Sequence, residues 1–125
     1  MSEVPERKPY DLEPRTRAFA KKVRAFIKAL PSAIAKGDDA KQLIRSSGSV
    51  GENLIEAAEY LGQKDRLMHM KISRKEARES AYWLDLIDAA EFPGLDKVRL
   101  SLKQEADELT KIFGRIVRDL EGRLD

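Results

Sequence analysis

The chain has 125 residues, a net charge of +2 at neutral pH and no cysteine. Its length fits one domain, and the lack of cysteine excludes disulfide bonds and thiolate metal sites. Charged residues make up 37% of the chain, and with regularly spaced apolar residues they predict amphipathic helices. No apolar run approaches the ~18 residues of a membrane span and no secretory signal opens the sequence, so we expect a cytoplasmic protein.

The N-terminal residues differ in composition from the rest of the chain. Residues 1–11 contain two prolines and mostly charged or polar side chains, which predicts a flexible tail before a single domain over 12–125. Pro14 suits the first turn of a helix, and Pro31 should end that helix after Leu30. Residues 31–37 are then a short connection, and Asp38 begins the next helix.

The second predicted helix, over 38–61, has an inner face of unusually small residues. Its two neighbouring stripes follow steps of three and four residues. The first is Leu43, Ser47, Val50, Leu54, Ala57 and Leu61, and the second is Ile44, Gly48, Gly51, Ile55 and Ala58. Small residues let other helices approach closely, so we interpret this face as a surface for helix packing and assembly. The competing interpretation is a break at residues 46–49.

Two more helices complete the predicted domain. We expect Gly62 to terminate the second helix, residues 63–65 to form a turn, and the third helix to span about 64–91. Phe92, Pro93 and Gly94 should close it, and Asp96 should open a fourth helix with heptad spacing of its apolar residues. Short loops favour antiparallel neighbours, so the predicted fold is an all-α, up-down-up-down antiparallel four-helix bundle.

Charge is distributed unevenly among these helices. Residues 14–30 contain no acid, the second helix is acidic, and the third and fourth helices are nearly neutral. The six cations of the first helix are Arg15, Arg17, Lys21, Lys22, Arg24 and Lys28. Either they form a solvated face near the acidic second helix, or they form a basic surface that binds nucleic acid. The opposite charges around Arg74 and Arg78 are most simply solubility features.

A group of polar residues accompanies the small-residue face. The predicted members of this structural polar network are Arg45, Ser49, Asn53, Glu56 and Glu79. A carboxylate near an apolar face needs a partner, since an isolated buried charge is very costly. We therefore predict a network that fixes helix register, and the alternative is contact with a ligand or RNA.

Catalytic and metal-binding patterns are missing from the sequence. The single histidine, His69, lies between two methionines, and no pair of Glu-x-x-His motifs supports a di-iron site. There is no glycine-rich phosphate loop and no nucleophile elbow. We predict no catalytic residue, no metal and no cofactor. Tyr82 and Trp83 are interpreted as core or interface residues, with a platform for base stacking as the alternative.

Two blocks of this sequence resemble a known family of bacterial four-helix bundle proteins, those encoded by intervening sequences in large-subunit ribosomal RNA genes. The blocks are residues 42–61 and 71–87. In the first block, the residues of this sequence that resemble the family pattern are Arg45, Ser46, Ser49, Val50, Asn53, Leu54, Glu56 and Ala57. In the second it is similar at Lys75, Glu76, Ala77, Glu79, Tyr82, Trp83 and Leu84.

The resemblance implies a bundle that assembles as a homopentamer and has no established enzymatic activity. It also implies a relative, the accessory protein of diversity-generating retroelements, which binds nucleic acid and a reverse transcriptase. We therefore expect a non-enzymatic homo-oligomer that binds RNA or DNA, or a nucleoprotein partner, through a basic surface. The alternatives are a protein-interaction scaffold without nucleic-acid binding and, third, a small enzyme such as a nuclease.

Overall fold

Four long helices and one short helix form the fold in a computed structural model that describes residues 11–124. They are α1 (Leu12–Ala29), α2 (Ser32–Ala35), α3 (Asp38–Ala58), α4 (Gln63–Leu86) and α5 (Pro93–Leu124). No strand occurs among the described residues, which confirms the all-α prediction. The predicted tail over 1–11 lies outside these residues except for Asp11.

The four long helices form an antiparallel up-down-up-down bundle. α3 packs along α4 and α4 packs along α5, while α1 closes the bundle against α3 and, less extensively, α5. Large apolar side chains from every long helix meet in one core, because each helix buries its apolar stripe against its neighbours. Fully buried members include Phe19, Val23, Leu43, Val50, Leu84, Leu109, Phe113 and Val117.

The small-residue face of α3 packs within the same chain. Ser46 and Ser80 are fully buried and their hydroxyl oxygens are 2.8 Å apart, while the Ser73 hydroxyl donates to the Val50 carbonyl at 2.9 Å. Serine in these positions brings α3 and α4 close together and satisfies its own hydroxyl group. Of the face predicted for assembly, Leu43, Ser47, Val50 and Ala57 are buried within the chain, while Ile55, Ala58 and Leu61 are exposed.

α3 is one continuous helix, so the alternative of a break at 46–49 is wrong. It ends at Ala58, three residues before the predicted end, and Leu61 is 95% exposed. Gly62 has a φ of 169°, which is extended backbone, so it does not terminate α3 as a left-handed glycine. Instead α4 begins at Gln63, and the Asp65 carboxylate accepts a hydrogen bond from the Leu61 amide at 3.1 Å.

The connection between α4 and α5 differs from the prediction at both ends. α4 stops at Leu86 rather than near residue 91, and Arg99 donates to the Leu84 carbonyl at 3.0 Å, which satisfies one of the free carbonyls at the helix end. α5 begins at Pro93 rather than Asp96, because proline is well tolerated at the first helical position. The connection over 31–37 contains the single turn α2.

Candidate nucleic-acid interface

A stripe of cations follows the outer face of α4. Lys71, Arg74, Lys75 and Arg78 recur at steps of three and four residues, and Tyr82 continues the stripe one turn later. The core-facing residues of α4 (Ser73, Ala77, Ser80 and Leu84) point to the other side of the helix. The stripe therefore presents its side chains away from the α3–α4 contact.

A second stripe of cations lies on α5 and meets the first across a glycine. Lys111, Arg115 and Arg118 share a face with Gly114, which is buried. A Cβ atom at Gly114 would lie 3.6 Å from Arg118 Nη1 and 3.9 Å from Arg74 Cδ. Arginine side chains from both helices therefore lie over Gly114 at the α4–α5 contact.

The two stripes line a continuous depression, which we call the basic groove. Its larger part has a volume of about 820 Å³ and adjoins a smaller part of about 420 Å³ through Arg74 and Thr110. The full lining is Lys71, Arg74, Lys75, Arg78, Glu79, Tyr82, Trp83, Thr110, Lys111, Gly114, Arg115 and Arg118. Seven of these residues are cations and one, Glu79, is an acid.

Most cations of the basic groove have no acidic partner. Lys71 pairs with Glu121 at 3.3 Å, and Glu79, the acid of the lining, is held by Arg45 at 3.4 Å. No carboxylate among residues 11–124 forms an ion pair with the other six cations of the lining. Unneutralised positive charge in a concave surface produces a local positive potential that attracts phosphate groups.

Aromatic side chains form one end of the basic groove. Tyr82 is 57% exposed, and its ring meets the Trp83 ring edge to face with centroids 5.1 Å apart and planes at 71°. Trp83 is half-buried, and its indole Nε1 is buried without a hydrogen-bond partner among the described residues. Trp83 therefore contacts the Tyr82 ring while Tyr82 remains open to solvent.

The six predicted binding cations of α1 lie on two flanks of the helix. On the α5 side, Arg15 donates to Glu105 at 2.7 and 2.8 Å and to Glu108 at 3.0 Å. On the α3 side, Arg24 donates to the Ile44 carbonyl at 3.1 Å, and it also donates to the Ala20 carbonyl of its own helix at 2.9 Å.

These contacts divide the α1 cations between packing and solvent. Arg17 pairs with Glu13 one turn earlier, and Lys21, Lys22 and Lys28 are exposed. Arg15 and Arg24 are held against neighbouring helices, so they add little to an open surface. The structure does not bring the six together as one basic face.

The predicted polar network is divided into two clusters. In the first, Arg45 reaches Glu79 at 3.4 Å and Glu76 at 3.6 Å. In the second, Asn53 Nδ2 donates to both the Ser49 hydroxyl and the Ser49 carbonyl at 3.0 Å. Glu56 is exposed and joins neither cluster within the described part of the chain.

Two members of these clusters were missed by the sequence analysis. Glu76 is a buried carboxylate, and its burial raises its pKa, with Glu79 adding to the shift and Arg45 opposing it. His69 Nδ1 lies 3.0 Å from Asn53 Oδ1, and its Nε2 lies 3.4 Å from Asp65. Helical spacing could have placed Glu76, since it shares a face with the buried Ser73 and Ser80. It could not have placed the contact of His69 with Asn53, which joins α4 to α3.

Among residues 11–124, no cluster of His, Asp and Glu has the membership to hold a metal ion. No helix in that range is long and apolar enough to cross a bilayer. The lining of the basic groove consists chiefly of arginine and lysine side chains with an aromatic edge.

Fold and groove together define an all-helical bundle with a basic, aromatic-edged surface. The chain belongs to the 23S rRNA-intervening sequence protein family, whose model matches residues 11–115. It is similar to a crystal structure from Bacteroides thetaiotaomicron of a protein of unknown function in the S23 ribosomal protein family. The two are 25% identical with a TM-score of 0.76, over 89% of this chain and 98% of the other. No curated protein sequence matches this chain.

Proposed function

We propose that this protein is a non-enzymatic helical bundle that binds nucleic acid through the basic groove. The observation that supports this proposal is the convergence of six cations without acidic partners on adjacent faces of α4 and α5. The sequence led us to expect a basic binding surface on α1, and we now propose that this surface lies on α4 and α5. The cytoplasmic location and the absence of enzymatic activity stay predictions.

Phosphate binding is the chemistry that suits these side chains. Arginine forms paired hydrogen bonds to phosphate oxygens, and lysine adds a compact charge. Each phosphate neutralised by the groove releases a counterion, so affinity should fall steeply as salt rises. Since the net charge of the chain is only +2, attraction must come from the local groove rather than from the molecule as a whole.

The test compares two double variants that remove the same charge. Arg74→Gln with Arg78→Gln removes two cations from the basic groove, while Lys21→Gln with Lys28→Gln removes two exposed cations from α1. Binding to a labelled RNA or DNA is measured by fluorescence anisotropy over a range of salt concentrations. We expect the groove variant to bind more weakly and to lower the salt slope by about 0.9 per lost phosphate contact with duplex, or about 0.7 with a single strand.

Three outcomes would contradict the proposal. If the α1 variant loses affinity and the groove variant does not, the nucleic-acid surface lies on α1 and the proposal is wrong. If the unmodified protein binds no RNA or DNA at low salt, a protein-interaction scaffold is the better function. Retained affinity that does not respond to salt would also contradict phosphate binding.

Assembly into a homo-oligomer is part of the proposal, following the pentamer implied by the family resemblance. Several copies would repeat the basic groove, and binding at one groove would raise the effective concentration of the same nucleic acid at the next. A modest single-site affinity would then be sufficient for tight overall binding.

A further inference from the structure

We infer that the basic groove selects single-stranded over double-stranded nucleic acid, with a base stacked on Tyr82. This inference rests on the proposed function and adds the class of nucleic acid to it. The observations behind it are the open Tyr82 ring, its support by Trp83 and its position at the end of the α4 cation stripe.

An exposed aromatic ring discriminates between the two forms because of where their bases lie. In a duplex the faces of the bases are covered by their neighbours, and only the terminal pair offers a free face. A single strand can turn a base outward and stack it on an aromatic ring while its phosphates follow a basic groove. The Tyr82 ring therefore adds affinity for a single strand and nearly none for a duplex.

The dimensions of the α4 stripe suit a short strand. Lys71 and Tyr82 are eleven residues apart, which is about 16 Å along a helix. A strand that lies along this length contacts the stripe through a few nucleotides only. In such an arrangement Arg74 and Arg78 contact phosphates next to the base on Tyr82.

The edge-to-face contact with Trp83 fixes the orientation of the platform. The ring centroids are 5.1 Å apart, so a base that stacks on Tyr82 alters the surroundings of the Trp83 indole as well. Trp83 is the single tryptophan of the chain. Its fluorescence therefore reports ligand contact at this end of the groove, free of signal from any other tryptophan.

The experiment titrates the full chain with a strand of about twelve nucleotides and with a blunt-ended duplex of the same length, as both RNA and DNA. We expect the strand to bind at least about fivefold more tightly than the duplex and to change Trp83 emission. Tyr82→Ala should reduce strand affinity by at least about fivefold and leave duplex affinity within about twofold. Tyr82→Phe should retain strand affinity, since it preserves the ring.

The matched control is Tyr60→Ala, which removes another exposed ring. Tyr60 lies in the α3–α4 connection beside Arg66, outside the lining of the basic groove. It should leave strand affinity unchanged, and thermal melting followed by circular dichroism should show that the Tyr82 variants fold. Equal affinity for strand and duplex, or no effect of Tyr82→Ala, would overturn the inference while the proposed function stands. Failure of both nucleic acids to bind would instead remove the proposed function.

Discussion

Glu76 shows how burial changes the behaviour of one side chain. It is 7% exposed in the α3–α4 contact, and its Oε1 has no hydrogen-bond partner among the described residues, with Arg45 at 3.6 Å. Loss of hydration disfavours the charged form, and this desolvation raises the pKa of Glu76 above its ordinary 4.5, with repulsion from Glu79 adding to it. The charged carboxylate therefore destabilises the fold at neutral pH.

This shift predicts how stability depends on pH. Between 4.5 and the raised pKa, the folded state holds a proton on Glu76 that the unfolded state has lost. The stability contributed by this proton is complete below 4.5 and disappears as the pH rises through the raised pKa. Glu76→Gln should therefore raise the free energy of unfolding at pH 7 to 8, and the gain should vanish below the ordinary pKa.

Urea denaturation at several pH values measures this effect. The matched control is Glu56→Gln on α3, because Glu56 is exposed and has no ion pair within residues 11–124. It should leave stability unchanged over the same pH range. A destabilising Glu76→Gln at pH 7 would mean that the Arg45 contact outweighs the cost of burial.

At the scale of the helices, the contact of α1 with α3 depends on the small size of Gly51. A Cβ atom at this position would lie 3.0 Å from the Thr16 hydroxyl oxygen, and that hydroxyl is fixed by its donation to the Leu12 carbonyl at 2.7 Å. Gly51→Leu should therefore cost about 1–3 kcal/mol of stability by overpacking. Gly122→Leu is the control, since nothing lies within 4 Å of its Cβ position. Equal melting temperatures for the two variants would contradict this account.

The contact of α1 with α5 depends on a cluster of charges. α1 packs less extensively on α5 than on α3, and Arg15 spans the gap with two hydrogen bonds to Glu105 and one to Glu108. Its hydrogen bond to Glu105 raises the pKa of Arg15, which shows that the pairing favours the charged guanidinium. Paired arginine–carboxylate contacts of this kind are stronger than ordinary surface pairs.

Arg15→Met should therefore reduce the free energy of unfolding by about 1 kcal/mol at low ionic strength, because it keeps the length of the side chain and removes the charge. High salt should shrink the difference, since the pair is partly exposed. Lys21→Met on the same helix is the control, because Lys21 is exposed and unpaired within the described residues. Chemical denaturation at two salt concentrations checks both variants. If both variants lose the same free energy of unfolding, the loss comes from removing a positive charge from α1 rather than from breaking the Arg15 ion pair.

Periodicity predicted the four long helices and most of their buried faces, because apolar spacing records which side of a helix meets the core. The helix ends were less predictable. Pro93 was interpreted as a terminator, although proline also begins helices, and sequence spacing does not distinguish the two roles. Gly62 was assigned to the end of a helix on residue type, while the backbone there is extended. The contact of Asp65 with the Leu61 amide depends on this turn and could not be placed without it.

At the scale of the whole molecule, charge is organised by face rather than by helix. Summed along each helix, the charges of α4 and α5 nearly cancel, which hides the groove. Steps of three and four residues place the cations of α4, from Lys71 to Arg78, on one face, with Glu79 beside them. What spacing could not supply is the alignment of two stripes on different helices, because that depends on the register of α4 against α5 at Gly114.

The bundle leaves an apolar surface on another face, between α1 and α5. Val98 is 43% exposed and lines a groove of about 570 Å³ with Ala25 and Phe26. Exposed apolar surface of this kind suits contact between copies of the chain. Since the basic groove lies between α4 and α5, assembly through the α1–α5 face would leave it open to nucleic acid.

Val98→Asp tests whether this face joins the copies. Light scattering of the unmodified protein should give a multiple of 14.2 kDa, about 71 kDa for five copies, and Val98→Asp should lower the mass toward one chain because an aspartate would be desolvated in the contact. Leu61→Asp is the control, at the opposite end of the bundle in the α3–α4 connection. A 14.2 kDa particle from the unmodified protein at micromolar concentration would contradict assembly itself. An unchanged oligomer with Val98→Asp would place the contact on another face.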